Sequence, residues 1–218
     1  PFDGQTVISS TDALSLDRVP ESMVIVGGGV VGCEFACILA ELGTQVTIVE
    51  ALDRLLPLPS VDRGCSKVLQ REMKKKKIKF MLNKTVTAVE TTHAKTLVTI
   101  GPSLFGDNIN EKDGQPQRIE ADKVLVTIGR KSNAQRIGLE NIGLPLDEKG
   151  WSPANDQLRT SVENVYASGD ALGPDKVMLA HGASTEAIIA AENAMGGDRK
   201  MNYDTVPGAI YTLPEVAD

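Results

Sequence analysis

The chain has no apolar run of membrane-spanning length, no leader with a basic end and an apolar centre, no internal repeat and no surplus of positive charge. Each absence removes a class of protein. A spanning helix needs about 20 consecutive apolar residues, so no membrane role is expected. A secretory leader is not expected either. A formal charge of -6 argues against general nucleic-acid binding. Only three cysteines occur, Cys33, Cys37 and Cys65, in neither a metal-ligand pattern nor a disulfide framework. No metal site is expected, and reduced thiols suit a cytoplasmic location. Cys33 and Cys37 lie one helical turn apart, which leaves two readings open: small buried residues, or a regulatory pair made reactive by a helix start.

What remains is a globular composition, with 41% hydrophobic residues among 218, enough for one large domain or two small ones. The one basic run, Arg71 to Lys77, reads as the solvated end of a helix, where cations also complement the dipole. The opening Pro1-Phe2-Asp3-Gly4 is unlike a start, and the chain is expected to be a piece of a longer protein.

The chemistry is concentrated in Met23-Val-Ile-Val-Gly-Gly-Gly-Val-Val-Gly-Cys-Glu-Phe-Ala, followed by Thr47-Ile-Val-Glu50. The pattern is an apolar strand, a glycine-rich turn, a helix and a second strand ending in a carboxylate. It predicts a dinucleotide site. Gly27 permits the tight turn, Gly29 lets backbone approach a pyrophosphate, and Gly32 lets the helix lie close to the sheet. Free amides at the helix start, with the positive end of its dipole, face the phosphates without help from a lysine. Glu50 follows Gly32 at close to the spacing that suits an acceptor for the adenosine ribose. Its charge repels an additional phosphate there, so NAD is expected rather than NADP.

Further elements follow by pattern. Helices are expected over about 31–42 and 61–75, with a proline-rich loop from Arg54 between them. Strands are expected at 24–26, 45–49, 78–82, 85–90 and 97–100, with a hairpin tip over 106–117. Ala121 to Gly129 reads as one strand ending on glycine, and Val165-Tyr-Ala as another, ending at Ser168-Gly169-Asp170. Met178-Leu-Ala-His leads into an alanine-rich helix ending near Met195, whose small side chains suit close packing or a flat ligand.

Taken together, Gly27-Gly-Gly-Val-Val-Gly-Cys-Glu, Thr127-Ile-Gly-Arg, Asn164-Val-Tyr-Ala-Ser-Gly-Asp, Met178-Leu-Ala-His and Ile210-Tyr-Thr-Leu-Pro-Glu-Val resemble the flavin-dependent pyridine nucleotide disulfide oxidoreductases. The last two point to the lipoamide branch. The resemblance implies an α/β architecture with a Rossmann-like NAD-binding domain, residues 21–128, inserted into a partial FAD-binding domain. Residues 1–20 then correspond to that domain's edge, 129–204 to its C-terminal half, and 205–218 to the start of a dimer-interface domain.

By the same resemblance, Gly27, Gly28, Gly29, Val30 and Val31 match the turn that holds the NAD pyrophosphate, with Gly32 closing it. Glu50 matches the ribose ligand, and Val86 and Gly129 positions bordering NAD. Asp170 matches a carboxylate on the ribityl chain of FAD, and Ala180 a residue facing the flavin. Glu34 matches a glutamate beside the nicotinamide; a favourable acid in a first helical turn is the other reading. The run Gly129-Arg-Lys-Ser-Asn133 lacks a proline that many members carry after the glycine and arginine.

In the intact enzyme the resemblance implies oxidation of dihydrolipoamide by way of a redox disulfide, FAD and NAD. Expected partners are a lipoyl-bearing domain of a 2-oxo acid dehydrogenase or glycine cleavage complex, and a second copy in a homodimer. The family's redox cysteines have four residues between them, whereas Cys33 and Cys37 have three and sit in the NAD helix. Neither His93 nor His181 matches the catalytic histidine. Alternatives are another branch, such as a glutathione or mercuric reductase or a transhydrogenase, or a catalytically silent NAD-binding fragment.

Overall fold

Alternation along the strands decides the architecture. The computed structural model describes residues 2–91, 95–103, 105 and 115–217. Five strands form one parallel sheet: β1 (Val7–Ile8), β2 (Ser22–Val26), β3 (Gln45–Val49), β4 (Lys79–Met81) and β8 (Lys123–Val126), ordered β1-β8-β2-β3-β4. Successive side chains leave a strand on opposite faces. Met23, Ile25, Val46, Ile48 and Leu125 therefore join one core, and Val24, Val49, Val124 and Val126 another. Apolar residues on both faces are the signature of a parallel sheet covered on both sides.

The first core is closed by α2 (Val30–Glu41) and α3 (Arg63–Lys75). α2 presents small residues to the sheet, with Gly32, Cys33, Ala36 and Cys37 buried. α3 begins at Asp62, whose carboxylate accepts the Gly64 N–H at 2.6 Å, and buries Ser66, Leu69 and Met73 at helical spacing. The second core is closed by an antiparallel sheet of β5 (Lys84–Thr91), β6 (Thr96–Pro102) and β7 (Gln117–Ala121), with Val98, Ile100 and Ala121 buried.

The chain divides into two compact units, one of residues 1–128 with 209–218 and one of residues 129–208. The first twenty residues supply β1, paired in parallel with β8, and the short helix α1 (Ser10–Ala13), closed by a Ser9/Asp12 capping box. Residues 209–217 form the hairpin β9 (Ala209–Ile210) and β10 (Val216–Ala217), which buries Ile210 and Val216 in the first core. In the second unit, Leu158, Leu172, Ile189 and Met201 cluster against α4 (Ala180–Ala194).

Two expected strands differ. Ala121 to Gly129 is not one strand: Asp122 breaks it by exchanging hydrogen bonds with Ser22, its Oδ2 accepting the Ser22 N–H at 3.1 Å and its own N–H reaching Ser22 Oγ at 3.0 Å. β7 and β8 thus enter different sheets. Val165-Tyr-Ala contributes only an isolated bridge, Tyr166 to Arg159, since no neighbouring strand continues the ladder. Most of the expected hairpin tip, and His93, lie outside the described residues. Among the described residues, no helix is long and apolar enough to cross a membrane, and no cluster of side chains could hold a metal.

Gly32 sets the distance from α2 to the sheet. A Cβ there would lie 2.0 Å from the Gly27 carbonyl oxygen and 2.8 Å from Thr127 Oγ1. Gly32→Ala should therefore lower stability by roughly 2–3 kcal/mol through overpacking, read from the urea unfolding midpoint. Gly29→Ala, where a Cβ meets nothing within 4 Å and the φ of -75° is ordinary, should change it little. Equal losses would contradict this account.

Candidate functional site

The site is built at the carboxyl end of β2. Gly27 donates to the Val49 carbonyl at 2.8 Å and turns the chain at a φ of +107°, where a side chain is strained. A Cβ at Gly27 would also lie 2.7 Å from the Thr127 carbonyl oxygen. Gly28 is enclosed too, since its Cβ would meet Leu55 Cδ2 at 2.6 Å. Its carbonyl accepts the Leu56 N–H at 2.8 Å and the Cys33 thiol at 3.3 Å. Gly29 alone of these three faces open space.

Gly29 is also the N-cap of α2, and no side chain caps it. The first-turn amides, among them those of Val30, Val31 and Gly32, thus have no partner inside the helix. Val30 and Val31 are half-buried beside them. A closed turn with one open residue, followed by free donors and a helix dipole, fits a pyrophosphate.

Glu50 is buried and tied to the turn. Its Oε2 accepts the Gly28 N–H at 2.6 Å and its Oε1 the Leu52 N–H at 2.8 Å. An ionised carboxylate accepts about four hydrogen bonds, so lone pairs remain for ribose hydroxyls. The residue expected as a ligand is thereby also a brace for the loop that would hold that ligand.

Thr127, directly after β8, has a structural role. Its hydroxyl donates to the carbonyls of Val26 at 3.0 Å and Gly27 at 3.1 Å, locking β8 to the glycine turn. Val86, in β5, is half-buried and packs into the second core. Gly129 leaves the sheet at a φ of +138° with nothing near its absent Cβ.

Glu34 is the fifth residue of α2, beyond the first turn, which removes the dipole reading of its charge. Its Oε1 accepts the Tyr211 N–H at 2.9 Å. No sequence signal marks that contact across 177 positions.

In the second unit, Asp170 lies in a 3-10 turn, Gly169–Leu172, half-exposed and paired with Arg130 at 3.2 Å. An accessible pair of this kind contributes about 0–1 kcal/mol and is readily exchanged. Glu186, fully buried on α4, accepts the Gly169 N–H at 2.5 Å and the Tyr203 hydroxyl at 2.9 Å, so it holds the turn that carries Asp170. Burial, with the Glu186 carboxylate beside it, pushes the Tyr203 phenol well above its usual range. Ala180 is exposed as the first residue of α4, whose N-cap, Leu179, supplies no capping side chain. An accessible carboxylate and an uncapped helix start are compatible with a polar cofactor chain.

Residues 1–187 match the family described as pyridine nucleotide-disulphide oxidoreductase. The chain belongs to that family. It is 42% identical to a dihydrolipoyl dehydrogenase of Bacillus subtilis over 100% of its length, which is 44% of that protein. The mitochondrial dihydrolipoyl dehydrogenase of Mus musculus is 40% identical over 99% of the chain and 40% of its own length. The crystal structure of LpdA from Mycobacterium tuberculosis superposes with a TM-score of 0.84 at 30% identity, covering 99% of this chain and 44% of that one. The flavoprotein disulfide reductase RclA from Escherichia coli shares the fold, with a TM-score of 0.80 at 24% identity over 100% of this chain and 46% of that one. The chain thus spans less than half the length of these relatives, and the α/β class with a parallel sheet expected from sequence is the one observed. The family's description names a pyridine nucleotide.

Disulfide chemistry in this family needs an accessible thiolate. Cys33 and Cys37 are free and buried, and burial pushes both thiols up, away from ionisation. The reading of them as small packed residues is the one the geometry supports.

Two outcomes follow. In the folded chain at pH 8, a thiol-specific disulfide reagent should leave Cys33 and Cys37 unmodified until urea is added; rapid reaction of either would refute their burial. Glu50→Gln leaves one buried amide facing a donor and should cost about 1–3 kcal/mol in urea unfolding. No change would mean that the carboxylate does not brace the turn.

Proposed function

We propose that this chain is the NAD-binding portion of a dihydrolipoyl dehydrogenase, which oxidises dihydrolipoamide to lipoamide by way of a redox disulfide and FAD, with NAD as the final acceptor. The observation that carries the reading is the open backbone at Gly29 directly after two enclosed glycines, Gly27 and Gly28, with Glu50 anchored beside it. FAD, when bound, supplies the electron relay between thiol and nicotinamide.

The chain's own residues bind and orient. Amides from Gly29 to Gly32 hold the pyrophosphate, and Glu50 accepts from the adenosine ribose while repelling a phosphate on it. Val86 and Gly129 border the dinucleotide. Glu34 keeps Oε2 without a protein partner among the described residues and uses it to orient the nicotinamide end. Asp170, steadied by Glu186, exchanges Arg130 for the ribityl hydroxyls, and Ala180 brings backbone to the flavin. Holding two reactants in register is the main catalytic service of such a portion. The intact enzyme serves a lipoyl-bearing domain of a 2-oxo acid dehydrogenase or glycine cleavage complex, as a cytoplasmic homodimer.

A second reading, a chain catalytically silent by itself, is favoured by the buried thiols at Cys33 and Cys37, which leave no reactive pair on α2. It is compatible with the first: positioning belongs to this chain and the disulfide to other residues of the enzyme.

Calorimetric titration tests the proposal. NAD should bind at least about tenfold more tightly than NADP, a difference of ~1.4 kcal/mol. Gly29→Val should weaken NAD by at least as much, because a Cβ there enters space that protein leaves open. Equal affinity for the two nucleotides would sink the ribose assignment, and undiminished NAD binding by Gly29→Val would sink the turn.

A further inference from the structure

We propose a second ligand site, for a small phosphorylated molecule with a body of mixed polarity such as a nucleoside phosphate, at the amino end of the parallel sheet. A cavity of about 640 Å³ opens there, within the range of small-molecule sites. Ala40, Gln45, Thr47 and Ile119 supply a lining of mixed polarity, and Lys76, Lys77 and Lys79 supply positive charge. It is distinct from the glycine turn. β2 runs from Ser22, on the cavity, to Val26, before the turn, and four rises of about 3.3 Å place those two residues ~13 Å apart.

The sequence alone reads the lysine run as a solvated helix end, and for part of it that holds. Lys74 lies over the Phe80 ring at 5.1 Å, and Lys75 pairs with Glu72 at 2.9 Å. Lys76 pairs with Glu41. Lys77 and Lys79 differ: each lines the cavity, and neither has a protein partner among the described residues. Glu120, the carboxylate on the same wall, is engaged by Lys95 at 3.3 Å. Lys77 is carried by a left-handed residue, φ 63°, at the corner between α3 and β4, and Lys79 opens β4. Two cations without a protein partner among the described residues, on the rim of a recess that also carries Ser22, Gln45 and Thr47, suit an anion joined to a group with polar edges.

The test uses ADP as the probe and the Gly29→Val chain as the background, in which the glycine turn is weakened and any ADP left there is told apart by its indifference to the lysine substitutions. Calorimetry should show one ADP bound, weakened at least tenfold by adding Lys77→Glu and Lys79→Glu. Both lysines are exposed, so the fold should survive, and unchanged urea midpoints check this. Inorganic pyrophosphate should bind at least tenfold more weakly than ADP. The proposal is overturned if ADP does not bind the Gly29→Val chain, if charge reversal leaves its affinity intact, or if pyrophosphate binds as tightly. NAD affinity of the chain carrying only the two lysine substitutions should equal that of the unaltered chain. Failure of NAD to bind either chain would count against the dehydrogenase reading and not against this site.

Discussion

The distance between α2 and the β2 turn is the constraint on which the rest depends. With no side chain at Gly32, the helix starts almost in contact with the Gly27 carbonyl, and its free amides emerge directly after the strand. Any Cβ at that position pushes helix and strand apart. The donors would then spread, and the dipole would point past the place where a phosphate could sit. Three strands converge to hold this geometry: β2 supplies the turn, β8 braces it through the Thr127 hydroxyl, and β3 braces it through Glu50.

Bracing and openness are divided between adjacent residues. Gly27 and Gly28 are enclosed and their amides are satisfied by Val49 and Glu50, whereas Gly29 faces space. Buried polar groups left without partners cost stability, so proteins keep few of them. Here the free donors are gathered at one helix start, and the structure around it carries the cost. A similar division holds in the second unit, where the buried Glu186 satisfies the Gly169 amide and Tyr203, and Asp170 beside them stays accessible.

Much of this was legible in sequence because it is local. The turn, the helix after it and the carboxylate ending β3 lie within one stretch, and spacing fixes their order. Even there, Gly28 carried no distinct role until its contact with Leu55 and Glu50 was seen. The other braces join distant positions: Thr127 to Gly27, Glu186 to Gly169 and Glu34 to Tyr211. No periodicity or spacing rule reaches such pairs, since each depends on which strand or hairpin lands beside which. The same limit explains the strand break at Asp122, a partner of Ser22 exactly where sheet membership changes only through tertiary contact.

The two candidate sites lie at opposite ends of the parallel sheet. The carboxyl end carries Glu50 with the α2 amino terminus, and the amino end carries Lys76, Lys77 and Lys79 after the α3 carboxyl terminus, where cations also complement the dipole. About 13 Å of strand separates the ends, beyond the screening length of ~8 Å at physiological salt. Solvent-exposed charge at one end is thus weakly felt at the other. A ligand at the amino end could influence the glycine turn only through the packed strands β2 and β3, whose buried side chains leave little room to move. Two sites so placed are expected to bind independently, and coupling between them would imply a shift of β2 against α2 at the Gly32 contact, where the structure has no slack.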